Sequence, residues 1–289
     1  MVPLMSPNAV FPKSRFLRIG QELHDFSTPK IMGILNTTPD SFYEKSRAQS
    51  TKDILIRATQ LHQEGASILD LGAHSTRPGA PLLRPEEEIA RLKDVLPLIR
   101  QDFPTTLLSL DTFHAEVADF GLSNGINLIN DISAGQFDAN LWEVVAAHKA
   151  PYVLTYNRAP VQNEARSFVS KGQLVMDALH FLSNKLEALY AIGIQDVLID
   201  PGFGFGKSLA ENFELLDQLE TLHLLEHPLL IGVSRKSMIT KSLNCTSEEA
   251  LNGTTTLNTL AYTKGARIFR VHDVAAAKEA LTLLQARVF

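Results

Sequence analysis

One cysteine, Cys245, is present among 289 residues. No internal disulfide can form, and no base lies beside it in sequence to activate the thiol. No stretch approaches the roughly 18 consecutive apolar residues of a membrane-spanning helix. Residues 1–15 lack the apolar core of a secretory signal, so a cytoplasmic protein without a membrane partner is expected. An excess of one charge is missing too: 27 basic residues stand against 32 acidic ones, a formal net charge of -5. That balance sets up no field for a polyanion, and nucleic acid is not an expected partner. His62, His148, His180, His223 and His227 have no second ligand four residues on, which argues against zinc. The single tryptophan, Trp142, sits in an amphipathic stretch and reads as packing. Linker-like Pro/Gly/Ser tracts and low-complexity segments are lacking as well.

What is present is a regular alternation. With 45% hydrophobic residues the chain can bury a large core, and its length suits one α/β barrel or two smaller domains. Residues 16–26 alternate apolar and polar around Gly20, predicting a small hairpin that plugs or flanks the floor of the main fold. Apolar runs follow at 30–35, 67–72, 107–112, 128–132, 152–156, 197–201, 229–234 and 267–272. Amphipathic stretches follow them at 51–64, 85–101, 114–124, 138–148, 168–192, 210–221, 247–264 and 274–286. Strands that are apolar along their length are buried on both faces, as a closed parallel sheet requires. The expectation is an α/β chain: a single (β/α)8 TIM barrel over residues 30–289, preceded by a tail and hairpin over 1–29. An open doubly wound sheet is the alternative.

The stretch 197–207 organises the rest. Val197-Leu-Ile runs into Asp200, and Pro201-Gly202 stops the strand there, leaving the acid at its C-terminal end. The same design recurs at Asp70, Asp111, Asn130 and His272. In a barrel of this kind the strand ends and following loops form the working face. Any one such Asp can be a helix cap or a loop anchor, but Asp111, Asn130, Asp200, Arg270 and His272 together suggest one pocket. Two carboxylates, a carboxamide and Lys236 suit a flat nitrogen heterocycle whose rim alternates donors and acceptors. A second group of side chains has anion chemistry: Ser75-Thr76-Arg77, Ser234-Arg235-Lys236-Ser237 and Arg270-Val-His272. Gly204-Phe-Gly-Lys207 lacks the spacing of a P-loop, so a triphosphate site is not expected. Asn36 and Asp40 offer hard oxygen ligands suited to Mg2+ held mostly through water and phosphate.

These motifs resemble the dihydropteroate synthase family of pterin-binding barrels, over nearly everything from Ile31 to Leu284. The resemblance is carried by Met32-Gly-Ile-Leu-Asn36-Thr-Thr-Pro-Asp-Ser-Phe42, Asp70-Leu-Gly-Ala-His-Ser-Thr-Arg-Pro-Gly-Ala80, Ser109-Leu-Asp-Thr112, Asn130-Asp-Ile132, Asp200-Pro-Gly-Phe-Gly-Phe-Gly-Lys207, Gly232-Val-Ser-Arg-Lys-Ser237 and Arg270-Val-His-Asp273. It implies condensation of 6-hydroxymethyl-7,8-dihydropterin pyrophosphate with 4-aminobenzoate, giving 7,8-dihydropteroate and pyrophosphate. It further implies Asp111, Asn130, Asp200 and Lys236 as pterin contacts, Asn36 as the Mg2+ contact, and Thr76, Arg270 and His272 on the pyrophosphate side. Phe42, Pro78, Phe205 and Ser237 would wall the aminobenzoate site, which sulfonamides occupy. Asp200, Lys236, Arg270 and His272 are the expected catalytic set, and a homodimer is expected from the family.

Three places depart from the family pattern. Tyr43-Glu44-Lys45-Ser46 replaces a glycine-bearing first loop, and Gly72-Ala-His74 stands where the family has Gly-Gly-Glu. Leu154-Thr-Tyr156-Asn157-Arg158 replaces Met-His-Met, which puts Asn157 where a methionine packs on the pterin. These departures keep two further readings in view: a diverged pterin-binding paralogue without synthase activity, and a folate-binding domain of a corrinoid methyltransferase.

Overall fold

The computed structural model describes residues 16–36, 51–72, 83–158 and 172–286. The chain opens with an antiparallel hairpin, β1 (Phe16–Ile19) and β2 (Glu22–Asp25), turned at Gly20 with a positive φ of 63°. Eight parallel strands follow: β3 (Lys30–Asn36), β4 (Ile68–Gly72), β5 (Leu107–Asp111), β6 (Leu128–Asp131), β7 (Tyr152–Thr155), β8 (Val197–Asp200), β9 (Leu230–Ile231) and β10 (Ile268–Val271). They are hydrogen-bonded in the order β8-β7-β6-β5-β4-β3-β10-β9. A parallel bridge between Ile199 and Leu229 brings the two ends together into a nearly closed barrel.

The helices alternate with the strands: α1 (Thr51–Gln63), α2 (Pro85–Lys93), α3 (Leu96–Asp102), α4 (Ala115–Ser123), α5 (Leu141–His148), α6 (Leu174–Ala191), α7 (Leu209–Asp217), α8 (Ser237–Leu243), α9 (Leu251–Thr263) and α10 (Val274–Gln285). Residues 85–101, expected as one helix, divide at Asp94 and Val95. Pro97 has no N–H to give, and its ring would meet the carbonyl four residues back, so the first helix ends before it. The stretch after α7 tightens into a 3-10 segment, Leu219–Leu225. The run 229–234 is extended only at Leu230–Ile231, and α8, which follows it, went unforeseen.

Side chains on a strand point alternately inward and outward. Outward residues such as Leu69, Leu108, Ile129, Leu154, Ile199 and Phe269 form the shell against the helices. The inward residues nearest the strand starts, Met32, Ile68, Leu128, Val153, Leu198, Leu230 and Ile268, form a separate apolar cluster with Leu17, Ile19 and Phe26. The hairpin therefore plugs the floor, held also by Arg18 N–H donating to Asp196 Oδ1 at 2.7 Å. One layer higher the inward residues change character, to Asp70, Ser109, Asn130, Thr155, Asp200 and Arg270, all on buried strands. The strands are apolar along their length only on the outer face.

Candidate active site

The polar layer and the strand ends above it bring the predicted residues together. Asp111 lies opposite Asn130 in register, and Thr155 opposite Asp200. Arg270 reaches across the mouth: Nε donates to Asp70 Oδ2 and Nη2 to Asp111 Oδ2, each at 2.6 Å. Burial alone would pull its proton off more easily, but the neighbouring Asp70 and Asp111 charges win and hold it raised above an ordinary arginine.

Asp200 ends β8 in a tight turn, with Oδ1 accepting the Gly202 N–H at 2.7 Å. Gly202 has a φ of +69°, and a Cβ there would fall 2.1 Å from the Tyr156 carbonyl oxygen, so no other residue fits. Above Gly232 stand both Asp200 and Lys236: a Cβ at 232 would be 3.9 Å from Asp200 Oδ2 and 3.8 Å from Lys236 Nζ. Burial raises the Asp200 carboxyl despite the opposing Lys236 charge. Burial likewise pushes Lys236 down to about 8, with Asp200 resisting. Lys236 Nζ donates to the Phe203 carbonyl at 2.6 Å and lies 4.6 Å from the Phe205 ring centre.

His272 is buried and close to Arg270, Arg235, Arg57 and Lys236. Burial first, then those cations, push its imidazole down to about 3, so it is neutral. Ser234 Oγ accepts the His272 backbone N–H at 3.2 Å and lies 3.0 Å from Nδ1. In the tautomer in which Ser234 donates to Nδ1, the ring proton is on Nε2. Arg57 Nη2 donates to the His272 carbonyl at 2.6 Å and anchors this loop from α1.

Phe205 is half-buried beside Lys236, and Ser237 is exposed at the first turn of α8. Asn36 ends β3 over Gly72, where a Cβ would come within 2.8 Å of Asn36 Oδ1. Thr76, Phe42 and Pro78 lie outside the described residues, as do the first-loop and Ala73-His74 departures. Among the described residues no three His, Cys, Asp or Glu side chains cluster as a metal cage.

Arg235, read as an anion ligand, is engaged in the fold, and so is Lys207, for which no anion was expected. Arg235, at a positive φ of 58°, makes a two-pronged pair with Asp273 at 2.7 and 2.8 Å and donates to the Ser247 and Glu248 carbonyls. Lys207 turns back into its own loop, with Nζ donating to Tyr156 O, Gly202 O and Phe205 O and lying 4.4 Å from the Tyr156 ring centre. Burial lowers its pKa well below that of a free lysine. Asn157 Nδ2 donates to the Ile132 carbonyl at 2.8 Å, and Arg158 pairs with Glu211 at 2.6 Å. The desolvation expected of an unpaired amide at 157 is therefore met by the protein itself. The residue left without a role by the sequence was Asp70. Its place at the end of an apolar run is the same signal that marked Asp111 and Asp200.

The description "pterin binding enzyme" belongs to the family model that matches residues 32–272. A dihydropteroate synthase of a Synechocystis strain is 38% identical over 264 residues, 90% of this chain and 91% of that protein. The Yersinia pestis dihydropteroate synthase, solved with a sulfonamide drug complex, superposes with a TM-score of 0.87 at 36% identity, covering 94% of this chain and 98% of that one. The Xanthomonas albilineans enzyme, solved with 4-aminobenzoic acid, gives 0.85 at 35% identity over 95% and 98%. A floor-plugged parallel barrel with acid, amide and cation gathered at one mouth agrees with these likenesses along nearly its whole length: the chain belongs to the dihydropteroate synthase family of pterin-binding enzymes.

Proposed function

We propose that the barrel mouth joins 6-hydroxymethyl-7,8-dihydropterin pyrophosphate to 4-aminobenzoate, breaking the methylene carbon–oxygen bond to pyrophosphate and forming a carbon–nitrogen bond to the arylamine, which gives up one proton. The observation that carries this is the convergence of Asp111, Asn130, Asp200 and Lys236 on one buried mouth. Carboxylates and an amide oxygen accept from the ring N–H edge, while Lys236 donates to a ring oxygen or nitrogen. Asp200, against the ring, favours the positive charge that the dihydropterin spreads over itself as pyrophosphate leaves. Arg270 and the neutral His272, through its Nε2–H, stabilise the departing oxygens, together with Thr76. The amine needs no base before it attacks. Phe42, Pro78, Phe205 and Ser237 form the aminobenzoate walls, and a closed mouth keeps water from capturing the cation.

The single hard oxygen of Asn36, cradled over Gly72, fits Mg2+ held chiefly through water and the substrate's phosphates. Bound there, Mg2+ supplies neutralising charge for the pyrophosphate. Asn36 would orient that assembly rather than cage it.

We further place two copies in the working enzyme. The support is a groove of about 700 Å³ between α9 and α10, lined by Leu251, Leu283 and Leu284 among others. The lone Cys245 suits the reducing cytoplasm. The reading as a paralogue that binds pterin without synthase activity loses ground to the Asn157–Ile132 hydrogen bond, which removes the penalty that motivated it.

The test is pyrophosphate release from the pterin pyrophosphate with and without 4-aminobenzoate. Release that depends on 4-aminobenzoate and yields dihydropteroate is expected; a rate indifferent to it overturns the proposal. Pyrophosphate should also raise the melting temperature only when Mg2+ is present, and less so in Asn36→Ala.

A further inference from the structure

Asp70, with no exposed surface, sits on β4 in the polar layer beneath the mouth. Its Oδ2 accepts from Arg270 Nε at 2.6 Å and from Asn130 Nδ2 at 3.1 Å. In its ion pair with Arg270 the group is a carboxylate, which accepts hydrogen bonds and cannot donate. A carboxamide has one donating end and one accepting end, and only the donating end can face a carboxylate. Turned over, Asn130 would set Oδ1 against Asp70 Oδ2, two acceptors with no proton between them in a site closed to water.

We propose that Asp70 sets the ring-edge preference of the pocket: by locking Asn130 in one amide orientation it makes position 130 present a carbonyl oxygen, and so demands an N–H from the ligand there. This rests on the pterin reading given above. Among the described residues the bond to Asp70 is the one hydrogen bond of the Asn130 side chain, which leaves Oδ1 for a ligand. Asn130 is next to Asp111 in register, so the two present acceptors side by side. Together with Asp200 they select a donor-bearing edge, such as the amino and ring N–H of a 2-amino-4-oxopteridine. A 2,4-dioxopteridine carries a carbonyl in place of that amino group and meets acceptor with acceptor.

Asp70→Asn releases the lock, because an amide at 70 can either accept from Asn130 Nδ2 or donate to its Oδ1. Dissociation constants for 6-hydroxymethylpterin and for its 2,4-dioxo counterpart, measured by calorimetry on wild type and Asp70→Asn, test this. Wild type should prefer the amino compound, and the variant should narrow that preference by at least about tenfold. Equal weakening of both ligands, the result of a merely loosened Arg270, overturns the proposal. A wild-type chain that binds neither pteridine refutes the pterin reading instead.

A second measurement needs no ligand and leaves Asp70 in place. The side-chain NH2 of Asn130, identified by its loss in Asn130→Ala, should exchange with solvent far more slowly than surface asparagine amides. Exchange as fast as theirs overturns the lock.

Discussion

Arg270→Leu tests the electrostatics of the barrel mouth most directly. One guanidinium there serves two carboxylates, Asp70 with no exposed surface and Asp111 at 3%, through hydrogen bonds of 2.6 Å each. Leucine keeps much of the bulk but leaves both acids buried without their cation. Removing one partner of a buried pair costs about 3–5 kcal/mol. For 289 residues, an unfolding entropy of about 2.1 cal/mol/K per residue is about 0.6 kcal/mol/K. The melting temperature should then fall by roughly 5–8 °C at pH 8. An uncompensated buried carboxylate takes up a proton more readily folded than unfolded, so the folded variant binds more protons and the deficit shrinks as pH falls. Thermal unfolding followed by circular dichroism at pH 8 and pH 5.5 reads both effects. Adding Asp70→Asn to Arg270→Leu should restore part of the loss. A drop below about 2 °C, or an equal drop at both pH values, would refute the reasoning.

Three further outcomes follow from the same geometry. Lys236 is charged below about 8, so pterin affinity should decline as pH rises through that value, and Lys236→Met should bind weakly with a flat profile; a sloping profile in the variant would assign the titration elsewhere. Asp200→Asn keeps an oxygen for the Gly202 N–H but puts a donor where the ring needs an acceptor, so the fold should survive while pterin affinity drops at least about tenfold; unchanged calorimetric binding would remove Asp200 from the site. Asn157→Met should leave pterin affinity within about threefold and cost about 1–2 kcal/mol of stability through the orphaned Ile132 carbonyl; a clearly tighter complex would mean that the side chain faces the ring.

The barrel was legible because eight apolar runs alternated with amphipathic stretches, and a strand buried on both faces leaves that trace. Asp111, Asn130 and Asp200 were legible for the related reason that a polar residue closing such a run stands at the working face. Asp70 closes a run as well, yet what it does depends on Arg270, 200 positions away, and on one amide's orientation, neither of which a sequence displays. Arg235 shows the opposite limit. Its residue type suggested an anion, but a positive φ at 235 and the pair with Asp273 turn the cation to the fold's own use, as a ring of backbone carbonyls does for Lys207. The division between α2 and α3 was written in Pro97 and passed over because the amphipathic period continues across it.

The plug of Leu17, Ile19 and Phe26 leaves the barrel with one door. Two reactants and two products must share it, and on the proposed assignment a ring seated on the Asp111–Asn130–Asp200 layer would lie behind whatever occupies the walls at Phe205 and Ser237. Traffic through a single entrance is last in, first out: on that assignment the heterocycle would enter before the arylamine, and a molecule lodged at the outer position would detain the inner one. An inhibitor of the outer position would thereby be uncompetitive toward the pterin substrate, a kinetic signature set by two four-residue strands at the far end of the barrel.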